Sequence, residues 1–122
     1  MSRLYDMRVM VKGFNPQRRK QISRACAREW DFDPGEFVTP AYAVKVPEMS
    51  TSAAGYLCGG EMEHEFANRL ARAIWKANGG YCEVEVGAAC LENRPYDNYT
   101  FSRKDYMLLT ERSGWRWKRK KS

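Results

Sequence analysis

The alternation of apolar and polar residues divides the chain into strands and helices. Residues 4–13 alternate with a period of two, with Met7 and Val9 on one side, and this pattern predicts a first strand. Residues 16–30 follow with apolar positions three and four apart, which predicts a helix. Asn15 is placed to cap that helix at its start.

The middle of the chain predicts two more strands and a second helix. Residues 37–46 read as a second strand, in which Pro40 indicates an edge position or a bulge. Residues 47–55 are expected to form a loop that shades into a third strand ending at Cys58. Residues 59–80 keep helical spacing and end in glycines, so they predict the second helix.

The last third begins with the most regular alternation in the chain. Residues 81–92 alternate strictly and predict a strand. Residues 93–101 then form a turn and a short extended piece. Ser102 is placed to cap a last short helix over 103–111.

This order of elements predicts an α+β fold. Strand, helix, strand, strand, helix, strand is typical of a ferredoxin-like split βαβ sandwich (βαββαβ). It has a four-stranded antiparallel sheet in the order 4-1-3-2, two helices on one face and, here, a short C-terminal helix. The alternative is another small α+β arrangement in which residues 95–110 supply a fifth strand. We expect a single domain over 1–110 and a basic C-terminal tail over 111–122.

Charge is distributed unevenly between that domain and the tail. The net charge is +6, but residues 1–111 contain all 15 acidic residues and 15 of the 21 basic ones, so they are formally neutral. The tail interleaves tryptophan with cations, a mixture that binds single-stranded nucleic acid. Its candidate binding residues are Trp115, Arg116, Trp117, Lys118, Arg119, Lys120 and Lys121. The alternatives are tryptophans packed on the domain, or a disordered end that only keeps the protein in solution.

A second candidate for nucleic-acid contact lies on the first helix. Lys20, Arg24 and Arg28 recur every four residues and therefore line one helix face. A stripe of this kind can contact phosphates. The favoured alternative is a solvated outer face whose charges are offset by acidic residues elsewhere.

The open face of the predicted sheet is a poor place for nucleic acid. It would carry Arg8 and Lys12 on the first strand, with Glu83 and Glu85 on the strand beside it. These charges can pair across the strands and leave the face neutralised. The face also lacks the aromatic pairs on which sheet-binding modules stack RNA bases.

No catalytic, cofactor or metal site is predicted. His64 is the only histidine, and of the cysteines only Cys58 and Cys90 could converge with it at one sheet edge. No C-x-x-C spacing supports zinc, and no glycine-rich phosphate loop is present. We therefore expect the protein not to be an enzyme.

The cysteines and the lack of long apolar runs indicate in which cellular compartment the protein is expected. No run approaches the ~20 apolar residues that span a bilayer, and the first residues lack the apolar stretch of an export signal. Four cysteines in a chain of this size are then expected to be reduced thiols in a cytoplasm.

Residues 57–106 carry a recognisable motif. A C-G-G-x-x-x-x-E-F helix start is followed by A-x-W-x-A-N-G and, after one further glycine, by Y-C, then a V-x-V strand and an L-E-x-x-P-Y turn. This pattern resembles a set of small uncharacterised proteins of bacteria and their phages. The resemblance implies one intracellular domain and an origin in a mobile element, and it implies no activity.

Two functional hypotheses follow from the sequence. The leading one is a non-enzymatic accessory or protein-interaction domain, whose partner is an unidentified protein or a second copy. A homodimer would form through an edge strand or through the apolar segment 95–110. The alternative is a nucleic-acid-binding module that uses the C-terminal tail.

Overall fold

The computed structural model describes residues 3–41, 45–57, 61–90 and 97–109. Four strands and three helices follow one another in the order βαβαββ, with a helix over 103–109 at the end. The elements are β1 (Arg3–Lys12), α1 (Arg19–Glu29), β2 (Glu48–Leu57), α2 (Glu63–Asn78), β3 (Glu83–Cys90), β4 (Asp97–Phe101) and α3 (103–109). Single turns of 3-10 helix at Pro16–Arg18 and Pro34–Glu36 flank α1.

The sheet is antiparallel, and β1 lies at its centre. The strand order is β2-β1-β3-β4. Met7 of β1 lies opposite Ala53 of β2 and Ala88 of β3, which fixes the register on both sides. β2 and β3 are both antiparallel to β1, so they run parallel to each other, and α2 connects them across the central strand.

Both long helices pack on one face of this sheet, where the alternating residues of β1 form the core. Tyr5, Met7, Val9 and Val11 are all buried there, as the period of two predicts. The core continues through buried residues of both helices and β3, namely Ile22, Cys26, Phe66, Leu70, Ile74, Val84 and Val86.

α1 and α2 run antiparallel. Trp30, just after the end of α1, packs edge-on against Phe66 in the first turns of α2, with ring centroids 5.1 Å apart. At the other end, the Arg18 guanidinium lies beside Gly79, which ends α2 with φ at 81°. Glycine adopts this left-handed conformation readily, so the predicted end of the helix is confirmed.

The predicted second strand over 37–46 is wrong in its placement. Among its described residues, only Val38 pairs with the sheet, through an isolated bridge to Ser50. Pro40 has no N–H to donate to a ladder, and Phe37 instead turns into the core against Phe32. The strand beside β1 is Glu48–Leu57, most of which was expected to be a loop.

The small residues of that strand explain why the sequence was misread. A serine- and alanine-rich segment lacks the bulky alternation that signals a strand. Trp30 lies over it and donates a 2.9 Å hydrogen bond from Nε1 to the Ala53 carbonyl. A Cβ on Gly55 would lie only 2.9 Å from the same indole. The ring can therefore pack on β2 because residue 55 has no side chain.

The ferredoxin-like order is not confirmed, because the fourth strand comes from a later segment. Asp97–Phe101 pairs with β3 at the edge opposite β2, with Phe101 opposite Val84. Residues within 95–110 therefore do supply a strand, as in the alternative arrangement. The coarser prediction is confirmed: an α+β fold with a four-stranded antiparallel sheet, two helices on one face and a short last helix.

α3 folds back on the end of α2. Tyr106 packs edge-on against Trp75 and against Tyr81, with centroid distances of 5.1 and 5.6 Å. On the same helix, Met107 and Leu108 are 54% and 55% exposed. The C-terminal apolar segment thus packs partly on the domain and partly faces solvent.

Candidate nucleic-acid interface

The basic residues predicted on α1 lie on its outer surface. Lys20, Arg24 and Arg28 are all exposed, on the side opposite the buried Ile22 and Cys26. Their spacing of one turn places them about 6 Å apart along the helix axis. The helix therefore presents a continuous row of cations to solvent.

The second helix extends this row into a wider surface. Arg72 and Lys76 are exposed one turn apart on α2, and Lys76 lines an open groove of about 520 Å³ between the two helices. We call the following six cations the basic helix face: Arg18, Lys20, Arg24, Arg28, Arg72 and Lys76. Four of them, Arg18, Arg24, Arg28 and Lys76, line the groove itself.

Acidic residues are missing from the parts of the helices that form this face. Neither 19–28 nor 66–78 contains an aspartate or a glutamate. The only acid that lines the groove is Glu29, whose Oε1 lies 2.7 Å from Nε of Arg69. None of the six cations forms an ion pair with a residue in the described ranges. The six cations of the face are thus without ion-pair partners in the described ranges, and the alternative expected from the sequence places its offsetting acids elsewhere.

Small side chains form the base of the groove between the cations. Buried Ala25 and half-buried Ala73 and Ala77 line it. Long arginine and lysine side chains on either side can reach over these alanines. Such an arrangement suits an extended anion better than a small ligand, because the cations surround an open trough and not an enclosed cavity.

The relative position of the two cation rows is fixed by contacts at the groove's Arg18 end. Asn78, at the end of α2, accepts a 2.7 Å hydrogen bond from the backbone N–H of Asn15. Its amide nitrogen donates to the carbonyls of Gly80 and Tyr81 at 3.0 and 3.3 Å. The Asn15 side chain in turn accepts from the N–H of Gln17 and caps the turn that enters α1, as predicted.

The open sheet face has mixed charge. Lys12 lies directly opposite Glu83 on one neighbouring strand and Glu48 on the other. Glu85 lies opposite Met10, while Arg8 is opposite Gly87, one pair further along. The register therefore brings opposite charges to neighbouring positions, and carboxylates on this face disfavour a phosphate backbone.

The thiols that the structure describes are suited to packing. Burial raises the pKa of both Cys26 and Cys82 to about 12, so these thiols stay protonated and unreactive near neutral pH. His64 is exposed in the first turn of α2, and Cys58 lies outside the described residues. Within the described ranges, no group of three or more potential ligands is placed to hold a metal ion.

Of the predicted binding residues, only the α1 stripe can be located. Lys20, Arg24 and Arg28 lie together on the basic helix face, whereas the seven tail residues lie outside the described residues. The sequence reasoning missed Arg18, Arg72 and Lys76. The acid-free stretch 66–78 was the signal for the last two, but it becomes meaningful only when α2 is placed beside α1.

Comparisons with known proteins add no assignment. No protein family, curated protein or solved structure matches the chain. Among the described helices, none is both long and apolar enough to cross a membrane.

Proposed function

We propose that this protein binds nucleic acid through the basic helix face, without catalysing a reaction. The observation that carries the proposal is that the parts of α1 and α2 beside the groove, 19–28 and 66–78, contain cations and no acidic residue. Four exposed cations line the groove, Lys20 and Arg72 lie on the same helices outside it, and the one acid that lines the groove is paired with Arg69. Lysine and arginine arrays of this kind bind phosphates and release condensed counterions, which supplies most of the affinity for a nucleic-acid backbone.

The basic helix face and the C-terminal tail have different roles in this proposed function. The basic helix face is the primary site, since its cations are held in place by packed helices. The tail, with Trp115, Trp117 and six cations, would add contacts to the same polyanion. Reduced thiols and a cytoplasmic location are consistent with this function and remain part of the proposal.

A charge-neutralising variant tests the function. Arg24→Gln combined with Arg28→Gln removes two groove cations while keeping long polar side chains on an exposed helix surface. We expect affinity for a mixed-sequence DNA or RNA to fall about tenfold, or roughly 1.4 kcal/mol, in fluorescence anisotropy near 0.1 M salt. Each lost phosphate contact should also lower the log–log salt slope by about 1.

The matched control removes the same charge elsewhere. Lys45→Gln with Lys104→Gln changes two exposed lysines outside the basic helix face. If this control weakens binding as much as the groove variant, attraction comes from net charge alone. If neither the natural protein nor the control binds nucleic acid, the proposal is wrong.

A protein-interaction role is the second candidate, and α3 is the observation that favours it. Met107 and Leu108 expose more than half of their surface beside a packed Tyr106. Adjacent exposed apolar residues are typical of contact surfaces. Analytical ultracentrifugation of the natural chain and of Met107→Gln/Leu108→Gln tests self-association. A chain that stays monomeric at high concentration argues against the dimer.

A further inference from the structure

We infer that the basic helix face is built for a double-stranded nucleic acid, contacted through both backbones and without base recognition. This inference rests on the proposed function and specifies its ligand. It comes from the two-row arrangement of the cations and from what surrounds them.

The cations form two rows and not one track. Lys20, Arg24 and Arg28 follow α1, and Arg72 and Lys76 follow α2, which runs antiparallel beside it. Packed helices lie about 8–10 Å apart, with the alanine floor of the groove between them. Long arginine and lysine side chains project from both helices, so they can reach phosphates on either side of a B-DNA groove, whose minor and major widths are about 6 and 12 Å.

Arg24 and Arg28 on one side of the groove and Lys76 on the other can contact phosphates of different strands. A single strand offers one row of phosphates and is flexible, so it would engage one helix at a time. A duplex keeps both rows in place and concentrates one charge per about 1.7 Å of its axis. The fixed spacing of the packed helices therefore favours the rigid ligand.

The surroundings of the face argue against unpaired bases as the target. Proteins that hold single strands offer aromatic rings on which the bases stack. Within the described ranges, Tyr56 is the only aromatic residue with a largely exposed side chain, and it lies on β2, away from the helix face. The groove is lined instead by aliphatic and charged side chains and Gln21. This face can therefore contact the phosphate backbone of a nucleic acid, but its described residues offer no aromatic ring on which a base could stack.

Of the two faces of the described sheet-and-helix layers, the open sheet face is the less favourable for a duplex. Glu83 and Glu85 of β3 lie on the open sheet face, and Lys12 of β1 lies directly opposite Glu83. A polyanion approaching from that side meets carboxylates, whereas the groove on the helix side is lined by four cations and one acid, Glu29, which is paired with Arg69. One protein would therefore cover one side of a duplex.

The experiment compares duplex and single-stranded ligands on the full chain. A 20-base-pair DNA duplex, an RNA duplex of the same sequence and each separated strand are titrated at several salt concentrations. The proteins are the natural chain, Arg24→Gln/Lys76→Gln and the control Lys45→Gln/Lys104→Gln. The groove variant removes one cation from each row, so it weakens contact with both backbones. Circular dichroism and thermal unfolding establish that the variants are folded.

We expect the groove variant to weaken binding to at least one duplex about tenfold or more, with single-strand binding reduced less than threefold. The stronger duplex then identifies DNA or RNA as the ligand. Equal losses for single and double strands would overturn the duplex inference while leaving nucleic-acid binding in place. Binding that ignores the groove variant for every ligand would overturn both. Two unrelated duplex sequences should bind within threefold of each other, and strong discrimination between them would contradict backbone recognition.

Discussion

Arg69 of α2 holds Glu29 of α1, with its Nε 2.7 Å from the carboxylate Oε1. The same guanidinium reaches Glu61 through Nη1 at 2.6 Å. The Glu29 contact joins the two helices, and the shared guanidinium offsets part of the charge of the only acid that lines the groove. The partly exposed pair is a modest stabilising interaction, since solvent screens it. Its larger consequence is that the one carboxylate beside the groove cations is held by Arg69 and not by any of the cations that line the groove.

Glu29→Gln is therefore expected to strengthen nucleic-acid binding. Removing the carboxylate leaves Arg69 paired with Glu61 and raises the positive potential of the groove. We expect about a two- to fivefold gain in affinity, which corresponds to roughly 0.4–1 kcal/mol. Anisotropy titration at low salt measures it, with Glu36→Gln as a control at an exposed acid outside the groove. Unchanged or weaker binding by a folded Glu29→Gln would contradict the role given to this pair.

Gly55→Ala should destabilise the fold through the indole that lies over β2. The added Cβ would come within 2.9 Å of Cζ2 of Trp30, whose ring is held by its hydrogen bond to Ala53. Overpacking of this kind costs about 1–3 kcal/mol in the free energy of unfolding. Urea denaturation measures the loss. Gly80→Ala is the control, because nothing lies within 4 Å of its added Cβ; equal effects of the two substitutions would contradict the packing argument.

Asn78→Ala should loosen the Arg18 end of the basic groove. The substitution removes one hydrogen bond to the start of α1 and two to the turn that follows α2. We expect a loss of about 1–3 kcal/mol of stability. Binding should weaken as well, because the two cation rows lose a fixed contact. Asn68→Ala on the same helix is the control and should be neutral or slightly stabilising, since alanine favours helices. If Asn78→Ala proves as stable as Asn68→Ala, Asn78 does not join the helices.

Alkaline pH should destabilise the protein through its two buried thiols. Folding raises the pKa of Cys26 and Cys82 from 9.0 to about 12, so the unfolded chain loses their protons first as pH rises. Their stabilising contribution is complete below about pH 9 and is lost progressively toward pH 12. Between pH 8 and 10 we expect a fall of about 1–3 kcal/mol in total, in reducing buffer.

Replacing both buried thiols with alanine isolates their share of the alkaline effect. Cys26→Ala with Cys82→Ala starts from a lower stability but should show a shallower decline with pH. Alkylation followed by peptide mapping gives a second readout: these two cysteines should stay unmodified until the protein unfolds, whereas half-buried Cys90 reacts earlier. An equally steep decline in the alanine variant would show that other groups cause it.

Sequence reasoning succeeded where one local pattern decides the structure. The alternation in β1 and β3, the cap at Asn15 and the glycine end of α2 are local signals, and each was read correctly. It failed for β2, because that strand has small polar side chains and is defined by its pairing with β1 and by the indole of Trp30 above it. Neither relationship is visible along the chain.

The sequence likewise predicts only some of the residues of the candidate site. The row on α1 follows from a spacing of four residues, so the sequence could name Lys20, Arg24 and Arg28. Two other features depend on how α2 lies against α1. They are the position of Lys76 in the groove and the ion pair between Glu29 and Arg69. These contacts between the helices support the proposal that the stripe is a binding face and not only a solvated surface.

The most direct test of the central claim separates the basic helix face from the tail in the intact chain. Six substitutions to glutamine, at Arg112, Arg116, Lys118, Arg119, Lys120 and Lys121, remove every cation of the tail. Duplex affinity of this variant is then measured against salt concentration. We predict that binding persists at low salt with a log–log slope of up to about 5, from six helix-face cations at ~0.9 each. Complete loss of binding would place the site in the tail and contradict the account.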